Sequence, residues 1–262
     1  MANIIYTHPE DNVAPDASWA IASGLGDGAY PVANLTDGIY AKPAKAASGT
    51  AITFEANFGS PDQSIEIVAF GGQHNLAGAS VKVDNDQGMT QQTLVIPANR
   101  ADGQSVCPWL DLSGVANHAG SIWTFTITGA AAPPAVGEIA LYTTKRSLPD
   151  NPLYGFSDEE VHGLIEHATD YGWVKPPYDL GFTTRTLTGL EVLGTVANIA
   201  TIRDWHRACY GRVKSCLIVL DPAVNDARFV RFVESKWVHV LRYPDLHTTS
   251  FSLEEVARGP VL

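Results

Sequence analysis

Short runs in which hydrophobic and polar residues alternate fill the first half of the chain. The clearest runs lie at residues 52–58, 65–69, 81–83 and 122–127. An alternation with a period of two places one set of side chains on the buried face of a β-sheet. Glycine, proline, asparagine and aspartate cluster between the runs, as turns require. Many short strands separated by turns predict a β-sandwich or jelly roll for this half.

The pattern changes close to residue 148. Residues 147–152 contain Pro149 and Pro152, and proline disfavours both a helix interior and pairing within a sheet. Beyond this segment, helical spacing occurs beside the alternating runs. We therefore predict two domains, residues 1–148 and residues 149–262.

The second half combines helical and strand patterns. Ser157 and Glu160 form a capping-box pattern that predicts a short helix reaching Ala168. A second helix is predicted from residue 198 to 210, where Gly211 would end it. Strands are predicted at residues 217–220, 237–243 and 251–253. The fold class predicted for the whole chain is mainly β, with an α+β or sheet-sandwich second domain that carries two short helices.

The composition narrows the classes of partner. Of the 262 residues, 45% are hydrophobic and 17% are charged, and the formal net charge is −11. Nucleic-acid phosphates bind to clustered lysine and arginine, so we expect no nucleic-acid partner. No apolar run approaches the roughly 20 residues of a membrane-spanning helix, so we expect no membrane span.

The cysteines indicate the compartment in which the chain folds. Cys107, Cys209 and Cys216 are few and odd in number, which does not suggest a disulfide framework. The first ten residues lack the basic and apolar regions of a signal peptide. We therefore expect three free thiols and folding in a reducing cytoplasm.

Catalytic and cofactor motifs are weak throughout the sequence. His162 and His167 are five residues apart, whereas the zinc motif His-Glu-x-x-His needs one helical turn between them. Gly24, Gly26 and Gly28 have neither the spacing nor the context of a dinucleotide-binding loop. A glycosidase would need two carboxylates across a cleft, and no such pair is evident. We expect no enzyme activity, no catalytic residue and no cofactor.

Two further alternatives concern ligands rather than catalysis. Residues 84–86 read Asp-Asn-Asp, an oxygen-rich group of the kind calcium prefers, although such turns commonly cap their own backbone. Aromatic residues could also form a platform for sugar stacking, although aromatics in a sandwich are more often core. The candidates for this platform are Trp19, Tyr30, Tyr40, Trp109 and Trp123.

Three segments of the first half resemble a known domain family. Residues 30–38 read Y-P-V-A-N-L-T-D-G, residues 65–83 combine a strand with G-G-Q-H-N-L and A-S-V-K-V, and residues 137–142 read G-E-I-A-L-Y. Together they are similar to the discoidin-like, galactose-binding-type jelly roll. The resemblance covers roughly residues 1–146 and implies a binding module with a jelly-roll fold.

The second half resembles tail-tip and baseplate proteins of tailed bacteriophages. The segments that carry this resemblance are residues 173–180, 188–191, 198–205 and 217–222. It implies a structural component of the distal tail of a virion, assembled in the host cytoplasm. The alternative is a carbohydrate-binding module that adsorbs to a glycan on the host surface.

The expected partners follow from these resemblances. They are other virion tail proteins and copies of this chain in a cyclic trimer or hexamer, with a host glycan as a further candidate. We expect the isolated chain to associate weakly, because a charge of −11 repels like copies. Aromatic residues concentrate interface energy, and the candidate interface residues in the second domain are Trp173, Tyr178, Trp237 and Tyr243.

Overall fold

The structure is a computed structural model with a mainly β architecture. It describes residues 3–37, 42–99, 106–152, 157–165, 178–223 and 227–256, with the backbone alone for Gln73, residues 160–165, residues 178–184 and Tyr243. Strands account for 46% of the chain and helices for 11%, which confirms the predicted fold class. The described residues form a two-sheet sandwich and a further, eight-stranded sheet.

The first half consists of short strands joined by loops and 3-10 turns. In the described residues the strands are β1 (Ile5–Tyr6), β2 (Ser18–Ser23), β3 (Ala44–Lys45), β4 (Ile52–Asn57), β5 (Gln63–Ser64), β6 (Ile67–His74), β7 (Ser80–Asn85), β8 (Gln92–Val95), β9 (Trp109–Asp111), β10 (Ala119–Gly120), β11 (Ile122–Thr128), β12 (Ala135–Tyr142) and β13 (Arg146–Ser147). Short 3-10 helices span Pro9–Asp11, Ala14–Asp16 and Val32–Leu35.

The sandwich packs a five-stranded sheet on a four-stranded sheet. The strand orders are β2-β4-β11-β7-β8 and β3-β12-β6-β9, and the paired strands are antiparallel. The chain crosses between the sheets at nearly every connection, as in a jelly roll. The alternation predicted at residues 52–58 and 122–127 is confirmed, since Phe54 and Phe125 point into the core and Thr53 and Thr126 point outward.

The four-stranded sheet is covered on both of its faces. All eight residues of β12 are buried. Phe70 and Ile139 belong to the core of the sandwich, whereas Ala69 and Ala140 pack in a separate cluster with Phe229 of the second half. Alternation is therefore lost in β6 and β12, as expected of strands buried on two sides.

A glycine allows the two halves to approach closely. A Cβ atom at Gly71 would lie 2.4 Å from the ring of Phe229, which no ordinary contact permits. Cys107 and Ala227 are also joined across this boundary, by a backbone hydrogen bond of 2.8 Å. The sandwich and the second sheet thus share an apolar interface.

The second half supplies most of the eight-stranded sheet. Its elements are β14 (Ser157–Ile165), β15 (Tyr178–Gly194), α1 (Val196–Ala208), β16 (Cys216–Val219), β17 (Arg228–Phe232), β18 (His239–Tyr243) and β19 (Leu246–Glu255). The strand order is β13-β1-β16-β17-β19-β15-β14, and β18 pairs with β19 outside that path. The strands predicted at residues 217–220, 237–243 and 251–253 are confirmed within a few residues.

Helix α1 covers one face of this sheet and confirms the helix predicted from residue 198. Thr195 caps its first turn by accepting a hydrogen bond from the backbone N–H of Asn198 at 3.3 Å. Past its end, Gly211 adopts a φ of 63°, in the left-handed region that glycine favours. Trp205 on α1 is fully buried, and its ring lies 4.8 Å from that of Phe232.

The prediction of a helix from Ser157 to Ala168 is wrong over residues Ser157–Ile165, which the structure describes. Residues Ser157–Ile165 form β14, which pairs with β15 in antiparallel register. The Ser157 hydroxyl contacts Glu159 and Thr188 rather than capping a turn. A serine three residues before a glutamate is compatible with an exposed strand as well, and pairing with β15 decides between them. Residues 166–168 lie outside the described residues.

The first strand of the chain belongs to the sheet of the second half. Ile5 pairs with Val219 on one side and with Ser147 on the other. The backbone N–H of Leu148 also donates to the carbonyl of Ile4 at 2.9 Å. Strands β1 (Ile5–Tyr6) and β13 (Arg146–Ser147) thus lie in the second sheet although the predicted first domain contains them. The division at residue 148 stays a prediction.

We expect all three thiols to resist alkylation in the folded protein. Cys107, Cys209 and Cys216 form no disulfide with one another, and all three are buried. A hydrogen bond with Cys216, together with burial, raises the pKa of the Cys209 thiol, and the thiolate is the reactive form. Iodoacetamide should therefore label none of them in buffer and all three in denaturant, as measured by intact mass. Rapid labelling of the native protein, or a mass change on reduction, would contradict this expectation.

Candidate functional site

A cleft lies where the sandwich meets the second sheet. Its volume is about 360 Å³, within the range of small-molecule sites. Tyr142 and Phe229 contribute apolar surface, whereas Asp37, Glu138 and Lys214 contribute charged groups. These residues come from four separated parts of the chain, so the cleft exists only after the two halves pack together.

A bulge in β12 accompanies the placement of Glu138 in the cleft. The pairing register of β12 with β6 shifts between Val136 and Glu138. Such irregularities re-aim the side chains of a strand. Asp37 reaches the same cleft from the loop that follows the 3-10 helix Val32–Leu35.

Glu138 is the most perturbed carboxyl group in the described part of the chain. The residue is 7% exposed, and its Oε2 atom has no hydrogen-bond partner among the described residues. Burial, and secondarily the negative charge of Asp37, raises the pKa of Glu138 to about 8. The free protein therefore holds this carboxyl mostly protonated at neutral pH. A ligand that donates hydrogen bonds or carries positive charge would favour its ionised form.

Glu138 and Asp37 alone do not complete a metal site. Within the described ranges, no three residues among histidine, cysteine, aspartate and glutamate lie close enough together to hold a metal ion. Calcium takes six to eight oxygen ligands, of which two carboxylates supply only part. His162 is described by its backbone only, in β14, and His167 lies outside the described residues.

The Asp-Asn-Asp group at residues 84–86 is engaged in its own turn. The Asn85 side-chain oxygen accepts hydrogen bonds from the backbone N–H groups of Gln87 and Met89, both at 3.1 Å. Asp86 accepts from the hydroxyl and backbone N–H of Ser121. The hydrogen bond from the Ser121 hydroxyl is the main cause that lowers the pKa of Asp86. These oxygens serve the expected role of stabilising a turn.

The aromatic residues proposed for sugar stacking do not form one platform. Trp109 and Trp123 are buried in the protein interior. Trp19 stacks on the core residue Phe125, with ring centroids 5.6 Å apart. Tyr30 is exposed, and the Lys45 ammonium group lies 5.4 Å from the centre of its ring. Tyr40 lies outside the described residues.

The structure places the four candidate interface residues in different surroundings. Trp237 is partly buried and packs beside the core of the second sheet, where its ring lies 5.6 Å from that of His206. Tyr178 and Tyr243 lie in β15 and β18, and only their backbone is described. Trp173 lies outside the described residues. Their role at an interface stays a prediction.

Sequence analysis did not identify Glu138 as a site residue. The signal available was one charged residue inside the apolar strand A-V-G-E-I-A-L-Y. A buried charge without a partner is costly, so such a residue commonly marks a ligand or an ion pair. Its position relative to Asp37 and Lys214 could not be inferred without the packing of the two halves.

No protein-family model and no curated protein sequence matches this chain. Among solved structures, a fucose-binding module from Streptococcus pneumoniae is 12% identical over 51% of this chain and 98% of its own, with a TM-score of 0.39. A chitosan-binding module from Paenibacillus is 15% identical over 50% and 98%, with a TM-score of 0.39. SpGH29 is 20% identical over 52% of this chain but 28% of its own length, with a TM-score of 0.38. Likeness at this level says nothing of what the chain binds.

Proposed function

We propose that this protein is a non-enzymatic recognition protein whose cleft binds a neutral or amino sugar of a surface glycan. The observation that carries the proposal is the buried carboxyl of Glu138, whose Oε2 atom has no hydrogen-bond partner among the described residues, inside a cleft of about 360 Å³. A binding pocket with apolar walls and a few convergent polar groups is the usual form of a small-molecule site.

The chemistry of the cleft favours a polyhydroxylated ligand. Sugar hydroxyl groups donate hydrogen bonds, and Glu138 and Asp37 offer acceptors for them. The apolar surface of Tyr142 and Phe229 suits the C–H face of a sugar ring. The negative charge of Asp37 disfavours anionic ligands, and an anion would also oppose the ionisation of Glu138, so uronic acids should bind more weakly than neutral or amino sugars.

Thermal unfolding with added ligand tests this proposal. Galactose or glucosamine oligomers should raise the Tm of the wild type in proportion to the logarithm of their concentration, whereas glucuronic acid should not. Glu138→Gln should reduce the shift because glutamine cannot ionise and offers one acceptor oxygen where the carboxylate offers two. Glu55→Gln, on the outward face of β4, is the matched control and should respond like the wild type.

Calcium distinguishes the sugar proposal from a metal site. If calcium alone raises the Tm of the wild type but not of Glu138→Gln, and no sugar does so, the cleft binds a cation. The sugar proposal would then be wrong. A shift with sugar in the presence of a chelator would support it.

A second candidate function is a structural role in the distal tail of a phage virion. Exposed apolar residues on an edge strand of the second sheet, Val238, Val240 and Leu241, favour an assembly role. The recognition cleft would then be displayed on a particle assembled in the host cytoplasm. Labelling this chain in purified particles and locating the label by electron microscopy tests this role, which requires density at the tail tip.

A further inference from the structure

Three strands of the eight-stranded sheet have one unpaired side among the described residues. One of them, β13, pairs only with β1 and has two residues, whereas β14 and β18 offer longer edges. Among the described strands, β18 pairs only with β19, and β14 pairs only with β15. An unpaired edge exposes backbone N–H and C=O groups that can pair with another chain. The two edges lie on different strands of one sheet, so they form two distinct surfaces.

The β18 edge is apolar and flanked by basic residues. Val240 and Leu241 within the strand are 52% and 61% exposed, and Val238 immediately before it is 52% exposed. Lys236 and Arg242 flank these residues, and Arg242 also lies 3.8 Å from the carboxylate of Glu191 within the same chain. Natural edge strands are usually protected by charges, prolines or a covering segment. Three of the four residues from 238 to 241 are thus exposed and apolar, a pattern that favours coverage of this edge by another chain.

A small cavity beside β18 contains polar atoms without partners. It has a volume of about 30 Å³ and lies between α1 and the hairpin of β18 and β19. The Trp237 Nε1 and His247 Nδ1 atoms are buried there without a hydrogen-bond partner in the described structure. A cavity of this volume can hold about one water molecule. An acceptor oxygen at this point would satisfy these groups.

The β14 edge has the complementary charge. Residues 157–160 read Ser-Asp-Glu-Glu, with the first three exposed. Asp158 already forms an ion pair with Arg228, at 2.8 Å. Glu159 contacts only the hydroxyl groups of Ser157 and Thr188, and has no basic partner among the described residues. Its charge therefore remains available to a basic edge.

We propose that β14 of a second copy of this chain docks against the β18 edge and continues the sheet between copies. The inference deepens the proposed assembly role by naming the contact. Because each copy offers one basic and one acidic edge, the contact is head to tail and closes into a ring where the rotation permits. Pairing over the five residues of β18 gives a small interface, so the isolated chain associates weakly.

Charge argues against a symmetric contact between two β18 strands. Such a pair would place Lys236 and Arg242 of both copies along one short interface. Like charges that face each other across a strand pair are destabilising. Pairing with β14 instead brings opposite charges together.

Sedimentation velocity over a concentration series tests whether the β18 edge is the contact. The wild type should show reversible association above the monomer, and Val240→Glu should weaken it by roughly tenfold or more. Val95→Glu is the matched control, because Val95 is 64% exposed on the edge strand β8 of the sandwich. It should associate like the wild type. A wild type that is monomeric at every concentration, or equal effects of both variants, would overturn the inference.

A charge exchange tests whether β14 is the partner. Lys236→Glu and Glu159→Lys should each reduce association when alone. An equimolar mixture of the two variants should restore it, because each contact then joins an acidic edge to a basic one. A symmetric β18 contact does not involve Glu159, so it predicts that Glu159→Lys alone associates like the wild type, and that result would reject β14 as the partner.

Failure of this contact and failure of the tail role are distinguishable. The sedimentation experiments concern the purified chain and need no particle. If the label lies at the tail tip but the purified chain does not associate head to tail, the tail role is supported and the proposed contact is wrong. If the purified chain associates through these edges but no label lies at the tail tip, the contact is supported and the tail role is wrong.

Discussion

Replacing Trp205 by alanine should destabilise the folded protein by about 3–5 kcal/mol, the usual range for removing a fully buried large aromatic. Trp205 is completely buried on α1, and its ring contacts those of Tyr6, Phe232 and Phe251. These partners come from β1, β17 and β19, so the substitution leaves a cavity where the helix meets three strands. Denaturant unfolding followed by circular dichroism measures the loss.

The matched substitution Trp123→Ala probes the sandwich core. Trp123 is also fully buried, but it belongs to the core of the first half. Because the two halves share an apolar interface and β1 lies in the second sheet, we expect one transition that both variants shift. Two resolved transitions, each moved by only one variant, would instead support independently folding domains divided near residue 148. Trp205→Phe, which retains part of the packing, should show a smaller loss if the cavity is the cause.

Replacing Glu138 by glutamine should stabilise the protein at alkaline pH by up to about 5 kcal/mol, the free energy of displacing the pKa from 4.5 to about 8. The folded state retains the proton up to about pH 8, whereas the unfolded chain releases it near pH 4.5. Wild-type stability therefore falls as the pH rises between these values and levels off above them. Glutamine has no charge to bury, so the variant should lack this part of the pH dependence.

Denaturant unfolding at pH 4 to 9 measures the difference between the two proteins. The curves should meet near pH 4 and separate progressively up to about pH 8. Glu55→Gln, on the outward face of β4, controls for the loss of one negative charge. A constant difference between wild type and Glu138→Gln across this range would show that Glu138 is not desolvated in the folded protein.

Local patterns were sufficient for the strands β4, β7 and β11 of the sandwich and for α1. In β4 and β11, alternation decides which side chains enter the core, and turn residues end each strand. In α1, the apolar residues recur on one face, and Tyr210 and Gly211 both adopt a left-handed φ in the turn that ends the helix. These signals lie within a few residues of one another, so they can be interpreted without knowing what packs against them.

The segment from Ser157 shows where a local pattern is ambiguous. Its serine and glutamate fit a helix cap, yet the segment forms β14 because β15 offers a partner strand. Propensity is a weak preference that tertiary contacts override.

The cleft and the sheet that borders it were decided by the tertiary structure. β1 joins β16, and the Thr7 hydroxyl accepts a hydrogen bond from the backbone N–H of Leu217, 210 residues away. Glu138 is desolvated because loops and strands from distant parts of the chain cover it. The sequence alone determined the mainly β class, several strands such as β4, β11 and β16, and α1, since these depend on neighbouring residues. The placement of β1 and the burial of Glu138 depend on contacts between segments far apart in the chain, which no local pattern specifies.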